Sequence, residues 1–168
     1  KEDTNFPFFS VISILAIPIM TLSVNPIVAA AILLPILLIM DFIAMYFYWN
    51  KWDLNIVKII IPPAILGIII GYLTFQYISV DSIRIIVGSI CILFIILTLF
   101  QNNNIMIRPT KTKGRFWSFI TGYTSFVIHA GGQPISFYLL PQKLNKTVYI
   151  GTITLAFLII NAIKLIPY

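Results

Sequence analysis

Pro26-Ile-Val-Ala-Ala-Ala-Ile-Leu-Leu-Pro35-Ile-Leu-Leu-Ile-Met-Asp41-Phe-Ile-Ala-Met-Tyr-Phe-Tyr48 contains a single charged residue in a run long enough to cross a bilayer. A spanning helix needs about 20 apolar residues. The run opens with Asn25-Pro26, a favourable helix start because proline is tolerated in the first turn. Its reading extends to the whole chain of 168 residues, which is 60% hydrophobic and 10% charged, with a mean hydropathy of +1.00. Soluble domains hold about 45–50% apolar and roughly 25% charged residues. A soluble enzyme domain, a disordered chain and a nucleic-acid-binding domain are thereby excluded, and the chain reads as an all-α integral membrane protein.

Five further apolar stretches flank this one, giving about six transmembrane helices. They run over about 6–22, 56–75, 83–100, from 116 into the interruption His129-Ala-Gly-Gly-Gln-Pro134, and 148–166. The first has a net acidic leader, Lys1-Glu-Asp-Thr-Asn5, and no small-x-small cleavage site, so it reads as a span rather than a signal peptide. The lone Cys91 lies mid-span and excludes a disulfide framework; its reading is packing. If loops alternate sides, Lys1, Lys51, Lys58, Arg108, Lys111, Lys113, Arg115 and Lys164 face Arg84, Lys143 and Lys146. The positive-inside rule then makes 101–115 a cytoplasmic loop of a multi-pass protein. Tyr46, Tyr48, Trp49, Trp52 and Trp117 read as interfacial anchors.

Polar residues within the spans carry the functional reading. Asp41 is a candidate proton or substrate site, or a hydrogen-bond acceptor between helices. In His129-Ala-Gly131-Gly132-Gln133-Pro134, paired glycines and a proline predict a helix broken by a Gly-Gly-x-Pro segment, the glycines supplying unusual backbone angles. A half-helix beginning near Pro134 would aim its positive end at an anion; a tightly packed kink is the plainer alternative. Asn161 and Thr152 read as interhelical hydrogen-bonding groups, and Lys164 as a side chain reaching the interface. Aligning Asn25-Pro26 with Asn145-Lys146 sets Asp41 opposite Asn161 and Ala44 opposite Lys164. This weak repeat divides a single transmembrane domain into a first half over 1–100, a linker over 101–115 and a partial second half over 116–168.

Thr124-Ser-Phe-Val-Ile-His-Ala-Gly-Gly-Gln-Pro-Ile-Ser-Phe-Tyr-Leu-Leu-Pro-Gln-Lys-Leu-Asn-Lys-Thr147, with Gly151-Thr152 and Asn161-Ala-Ile-Lys-Leu-Ile-Pro-Tyr168, resembles the second-half motif of the TauE/SafE sulfite exporter-like membrane proteins. Pro26 to Pro35, Asp41 and Trp52-Asp53 look like that family's first half. The resemblance implies a permease or exporter of the bacterial inner membrane for a small anion, sulfite or an organosulfonate, with His129, Gly131, Gly132, Pro134 and Asp41 near the transport path. Gln133 departs from the family, standing where a small residue or proline is expected; it and Asn161 join the candidate substrate-binding residues as polar groups of the spans. The first-half glycine-rich break of the family has no counterpart in Asn5-Phe-Pro-Phe-Phe-Ser-Val-Ile-Ser-Ile14, and family members run longer, so the chain reads as a fragment or degenerate member. The competing reading is an accessory or interaction subunit without transport activity. An enzyme is not expected: one histidine and one deep aspartate fall short of a zinc set, and neither GxSxG nor a phosphate loop occurs. The expected partners are a small anion and the lipid bilayer, with no nucleic acid, metal or cofactor.

Overall fold

The computed structural model describes residues 26–75, 77–79 and 110–166, together with 81, 82, 85, 88, 89, 92 and 96, the last seven all helical. The expected first span, most of the fourth, Cys91, Lys1, Arg84 and Arg108 lie outside the described residues. Among the described residues five α-helices have defined bounds: α1 (Pro26–Phe47), α2 (Leu54–Phe75), α3 (Lys111–Ile128), α4 (Gly132–Leu139) and α5 (Lys146–Lys164), with a 3-10 turn at Leu140–Gln142. By length and composition α2 and α5 can each cross a membrane, and α1 contains a shorter apolar helix, Ile32–Phe47.

Local chemistry explains the ends of these helices. Asp53 caps α2, its Oδ1 accepting from the amides of Asn55 and Ile56 at 2.8 and 3.3 Å. Thr110 caps α3 by accepting from Lys113, so the helix begins five residues before the apolar run at Phe116. Asn145 caps α5 through its contact with the Thr147 amide at 3.0 Å. Pro35 and the pair Pro62-Pro63 sit inside α1 and α2 without ending them. Apolar surroundings favour intrahelical bonding strongly enough to hold such helices together.

The packing is inside-out relative to a soluble protein. Leu34, Leu38 and Met45 form the buried stripe of α1, while Ile32, Ile36, Ile39, Met40, Phe42 and Ile43 are exposed. On α2, Leu66, Ile69, Ile70 and Leu73 are likewise exposed. Contiguous apolar surface of this extent would drive aggregation in water. The interior instead receives Ser118, Thr121, Thr124, Ser125, Thr152, Thr154, Asn161 and Lys164. A lipid-facing exterior around a hydrogen-bonded polar interior accounts for both halves of this pattern.

Glycines set the helix contacts. A Cβ on Gly67 would strike the Phe119 carbonyl, and one on Gly122 would strike the Ala64 carbonyl, so α2 and α3 touch backbone to backbone. Because Ala64 meets Gly122 and Gly71 meets Phe126, these two helices run parallel. α1 runs antiparallel to α5: Asp41 meets Asn161, and the following connector brings the Asp53 amide to Thr152 Oγ1 at 2.9 Å and the Lys51 carbonyl against Gly151.

The segment after Ile128 corrects two expectations. Gly131 lies against Ser125 and Thr121, Phe137 stacks on Trp117 at 5.2 Å, and Tyr138 lies over Gly114. α4 therefore runs back along α3; the fifth stretch is a re-entrant hairpin and not a kinked span that continues across. Lys143 and Lys146 consequently lie at the same end as Lys51, Lys111, Lys113 and Arg115, all six exposed, and not opposite them. None of α1 to α5 carries an acidic residue in its first turn, although helix N-termini favour acids. Cations clustered where the helix dipole disfavours them answer to the membrane surface. The exposed Tyr46 and Trp49, with Trp52 edge-on to Trp49 at 5.7 Å, surround the same end.

Two measurements check this architecture. In a Cys91→Ser background, cysteines replacing Lys113 and Lys143 are expected to react with a membrane-impermeant maleimide from the same face; labelling from opposite faces contradicts the hairpin. Gly122→Ala is expected to lower stability in detergent by about 1–3 kcal/mol through overpacking. Gly132→Ala, with nothing within 4 Å of the added carbon, changes it by less than about 0.5 kcal/mol.

Candidate functional site

Polar groups from three helices converge at the hairpin tip. One face of α3 repeats small or hydroxylated residues, Gly114, Ser118, Thr121, Gly122 and Ser125, at helical spacing up to His129. The hydroxyls of Ser118 and Thr121 donate to the carbonyls four residues back, at 2.6 and 2.8 Å. These residues pack without leaving an unpaired hydroxyl, and so admit the returning α4.

α3 ends at His129, which has φ 52° in the left-handed region. Histidine enters this region more readily than most residues. Its amide donates to the Ser125 and Thr124 carbonyls, and the Ala130 amide donates to Thr124 at 3.3 Å. No described glycine has positive φ. The turn therefore needs Gly131 for proximity, and neither glycine for the unusual backbone angles expected of the pair. A Cβ on Gly131 would meet Ser125 Cβ at 2.8 Å and the Thr121 carbonyl at 2.9 Å.

Lys164 is the residue that the sequence reading misplaced. Instead of reaching the interface it is 0% exposed, and its Nζ lies 2.9 Å from the Ser125 carbonyl, 3.1 Å from Ser125 Oγ and 2.9 Å from His129 Nδ1. The physical reason is the C-terminal end of α3, where orphaned carbonyls and the negative end of the helix dipole attract a cation. An ammonium has three hydrogens, and three partners surround this one. With the ammonium charged, His129 accepts at Nδ1 and carries its own hydrogen on Nε2. A signal was present in the sequence: Lys164 follows Asn161 by three residues and so shares its helical face.

One turn earlier, Asn161 Nδ2 donates to Asp41 Oδ2 at 2.6 Å. Asn161 is buried and Asp41 is half-buried. Each stands fifteen residues after the first residue of its helix, and the two helices are antiparallel. Asp41 also lies within electrostatic range of Lys164. Asp41, Asn161, Lys164, Ser125 and His129 thus form one chain of polar contacts joining α1, α5 and the hairpin.

The remaining candidates lie at the start of α4. Gly132 is its first residue and has open space beside its Cα. The Gln133 side-chain oxygen is buried with no hydrogen-bond partner. Pro134 is buried at the third position of the helix, where its missing amide hydrogen disrupts no intrahelical bond. The amides of Gly132 and Gln133 belong to the unpaired first turn, whose dipole end attracts anions. Among the described residues no cluster of three or more His, Cys, Asp or Glu side chains exists that could hold a metal. Thr152 and Gly151 fall outside this group, occupied with the 51–53 connector.

The Asp41–Asn161 contact is expected to show a coupling energy of about 1 kcal/mol in a double-mutant cycle of Asp41→Ala and Asn161→Ala, read from unfolding in detergent. Additivity within about 0.3 kcal/mol would remove the contact from the folded protein. Lys164→Met, which removes the ammonium bonded to the Ser125 carbonyl and the His129 ring, is expected to cost about 1–3 kcal/mol in the same measurement.

Comparison with known families gives one match: the model described as Sulfite exporter TauE/SafE covers residues 12–168. No curated protein and no solved structure matches the chain.

Proposed function

The chain belongs to the sulfite exporter TauE/SafE family, and on that basis we propose that it is a secondary transporter of a small sulfur-containing anion, sulfite or an organosulfonate. The observation carrying the reading to particular residues is the start of α4. There two unpaired amides, open space at Gly132 and the buried, partnerless Gln133 oxygen occur together. A half-length helix whose N-terminus points into the protein interior is the arrangement transporters use to hold anionic groups. Gly132 and Gln133 supply backbone donors, the Gln133 side-chain amide turns to present its nitrogen, and His129 supplies Nε2–H.

Lys164 acts differently. Its hydrogens are occupied by Ser125 and His129, so it contributes charge to the site through space. The equal depth of Asp41 and Asn161 on antiparallel helices supports two inverted halves meeting near the bilayer midplane. In this reading 101–115 links the halves, and the end bearing Lys51, Lys111, Lys113, Arg115, Lys143 and Lys146 faces the cytoplasm of a bacterial inner membrane. Alternating access comes from one half rocking against the other.

The accessory-subunit reading draws on the same contacts: Asp41–Asn161 and Lys164–Ser125 also tie helices together. Flux separates the two. Proteoliposomes containing the protein are expected to exchange sulfite or methanesulfonate, and His129→Ala combined with Gln133→Ala to reduce exchange at least tenfold. Undiminished exchange in that folded variant displaces the site from α4, and no exchange by the wild type favours the accessory role.

A further inference from the structure

The transport reading leaves unexplained a carboxylate beside an anion site. Asp41 faces the same interior as Lys164, and the hydrogen bond it accepts comes from Asn161, a neutral amide. Lys164 is the charged group that faces it from α5, and His129 is the titratable group on the far side of Lys164. The titratable side chains that α2 contributes, Lys58 and Tyr72, are exposed, and those at the start of α3, Lys111, Lys113 and Arg115, are exposed at the basic end. Among the described residues the interior charge is therefore set by one cation, Lys164, and one anion, Asp41.

That balance decides what can bind. With Lys164 charged and Asp41 ionised the interior is neutral, and an anion arriving at α4 makes it negative in a medium that screens poorly. Lys164 cannot compensate two anions at once, and its hydrogens are already bound. A proton placed on Asp41 cancels one of them. The ammonium charge is then left to the incoming anion, and the Asp41–Asn161 contact persists, because a protonated carboxyl keeps an accepting oxygen.

We propose that Asp41 is the proton-binding residue of the carrier, and that one proton enters on Asp41 with each monovalent anion bound at the hairpin tip. The inference rests on the transport reading and supplies its coupling ion. The balance is complete: a proton from the aqueous side joins a carboxylate oxygen, the anion binds unchanged, and both leave together on the other side.

The test uses the full chain in proteoliposomes with methanesulfonate, whose single charge is fixed across the working range, alongside sulfite. Half-saturation by methanesulfonate is expected to weaken with rising pH, approaching tenfold per pH unit once Asp41 is ionised in the empty protein. An inward methanesulfonate gradient is expected to acidify the lumen, reported by a trapped pH dye. Asp41→Asn abolishes the slope and the proton movement, and Asp41→Glu retains both. Asn161→Leu, which removes the hydrogen bond favouring ionised Asp41, moves the midpoint of the pH profile to higher pH. Anion flux without proton movement in the wild type overturns the proposal, as does a slope that survives in Asp41→Asn or a midpoint unmoved in Asn161→Leu. Absence of anion flux in the wild type overturns the transport reading itself, so the two failures are distinguishable.

Discussion

The ammonium of Lys164, buried at the C-terminal end of α3, organises the interior of this protein. A charge placed in an apolar medium must be surrounded by partners, and this one draws them from the last turn of α3 and its cap. Ser125 supplies a carbonyl and a hydroxyl, and His129 a ring nitrogen. The requirement holds the end of α3 against α5 and fixes where the chain turns. From that turn α4 returns, and the first turn of α4 faces the same interior. Asp41 completes the arrangement from α1 as the opposite charge within reach.

Close backbone approach makes this geometry possible. Gly67 and Gly122 allow α2 and α3 to touch through their backbones, Gly131 seats the hairpin turn on Ser125, and Gly114 makes room for Tyr138. In lipid there is little hydrophobic drive to bring helices together, so packing and hydrogen bonds must supply the association. Small residues on the inner faces and large apolar ones on the outer faces are the sequence consequence. The hydroxyls of Ser118, Thr121 and Thr124 fit the same logic, since each donates to its own helix and presents a small surface to its neighbour.

Much of the helix layout was legible beforehand. The stretches beginning at Pro26, Ile56 and Val148 correspond to α1, α2 and α5 within two residues at each end, because apolar run length and capping residues are local properties. The segment around Gly131 was singled out beforehand, but the path of the chain after it was not legible. A Gly-Gly-x-Pro segment reads equally as a kink or a reversal, and the contact of Tyr138 with Gly114, far apart in sequence, distinguishes them. The assumption that loops alternate sides placed Lys143 and Lys146 opposite Lys51 and Lys111, and the reversal returns them to the same end. Lys164 was misread because a lysine near a helix end usually reaches water. Only the presence of the α3 terminus beside it explains its burial.

Composition and run length alone determined that this chain is helical, lives in lipid and concentrates its chemistry in a few polar residues. The resemblance carried by 124–168 was likewise a property of the sequence, borne out by the family match over 12–168. Tertiary structure alone decided that α4 turns back, that Asp41 meets Asn161 and that Lys164 binds Ser125 and His129. The division has a physical cause. Partition into a membrane sums contributions along the chain and can be read residue by residue, whereas a buried charge is stabilised by partners that the chain brings from 35 to 120 positions away.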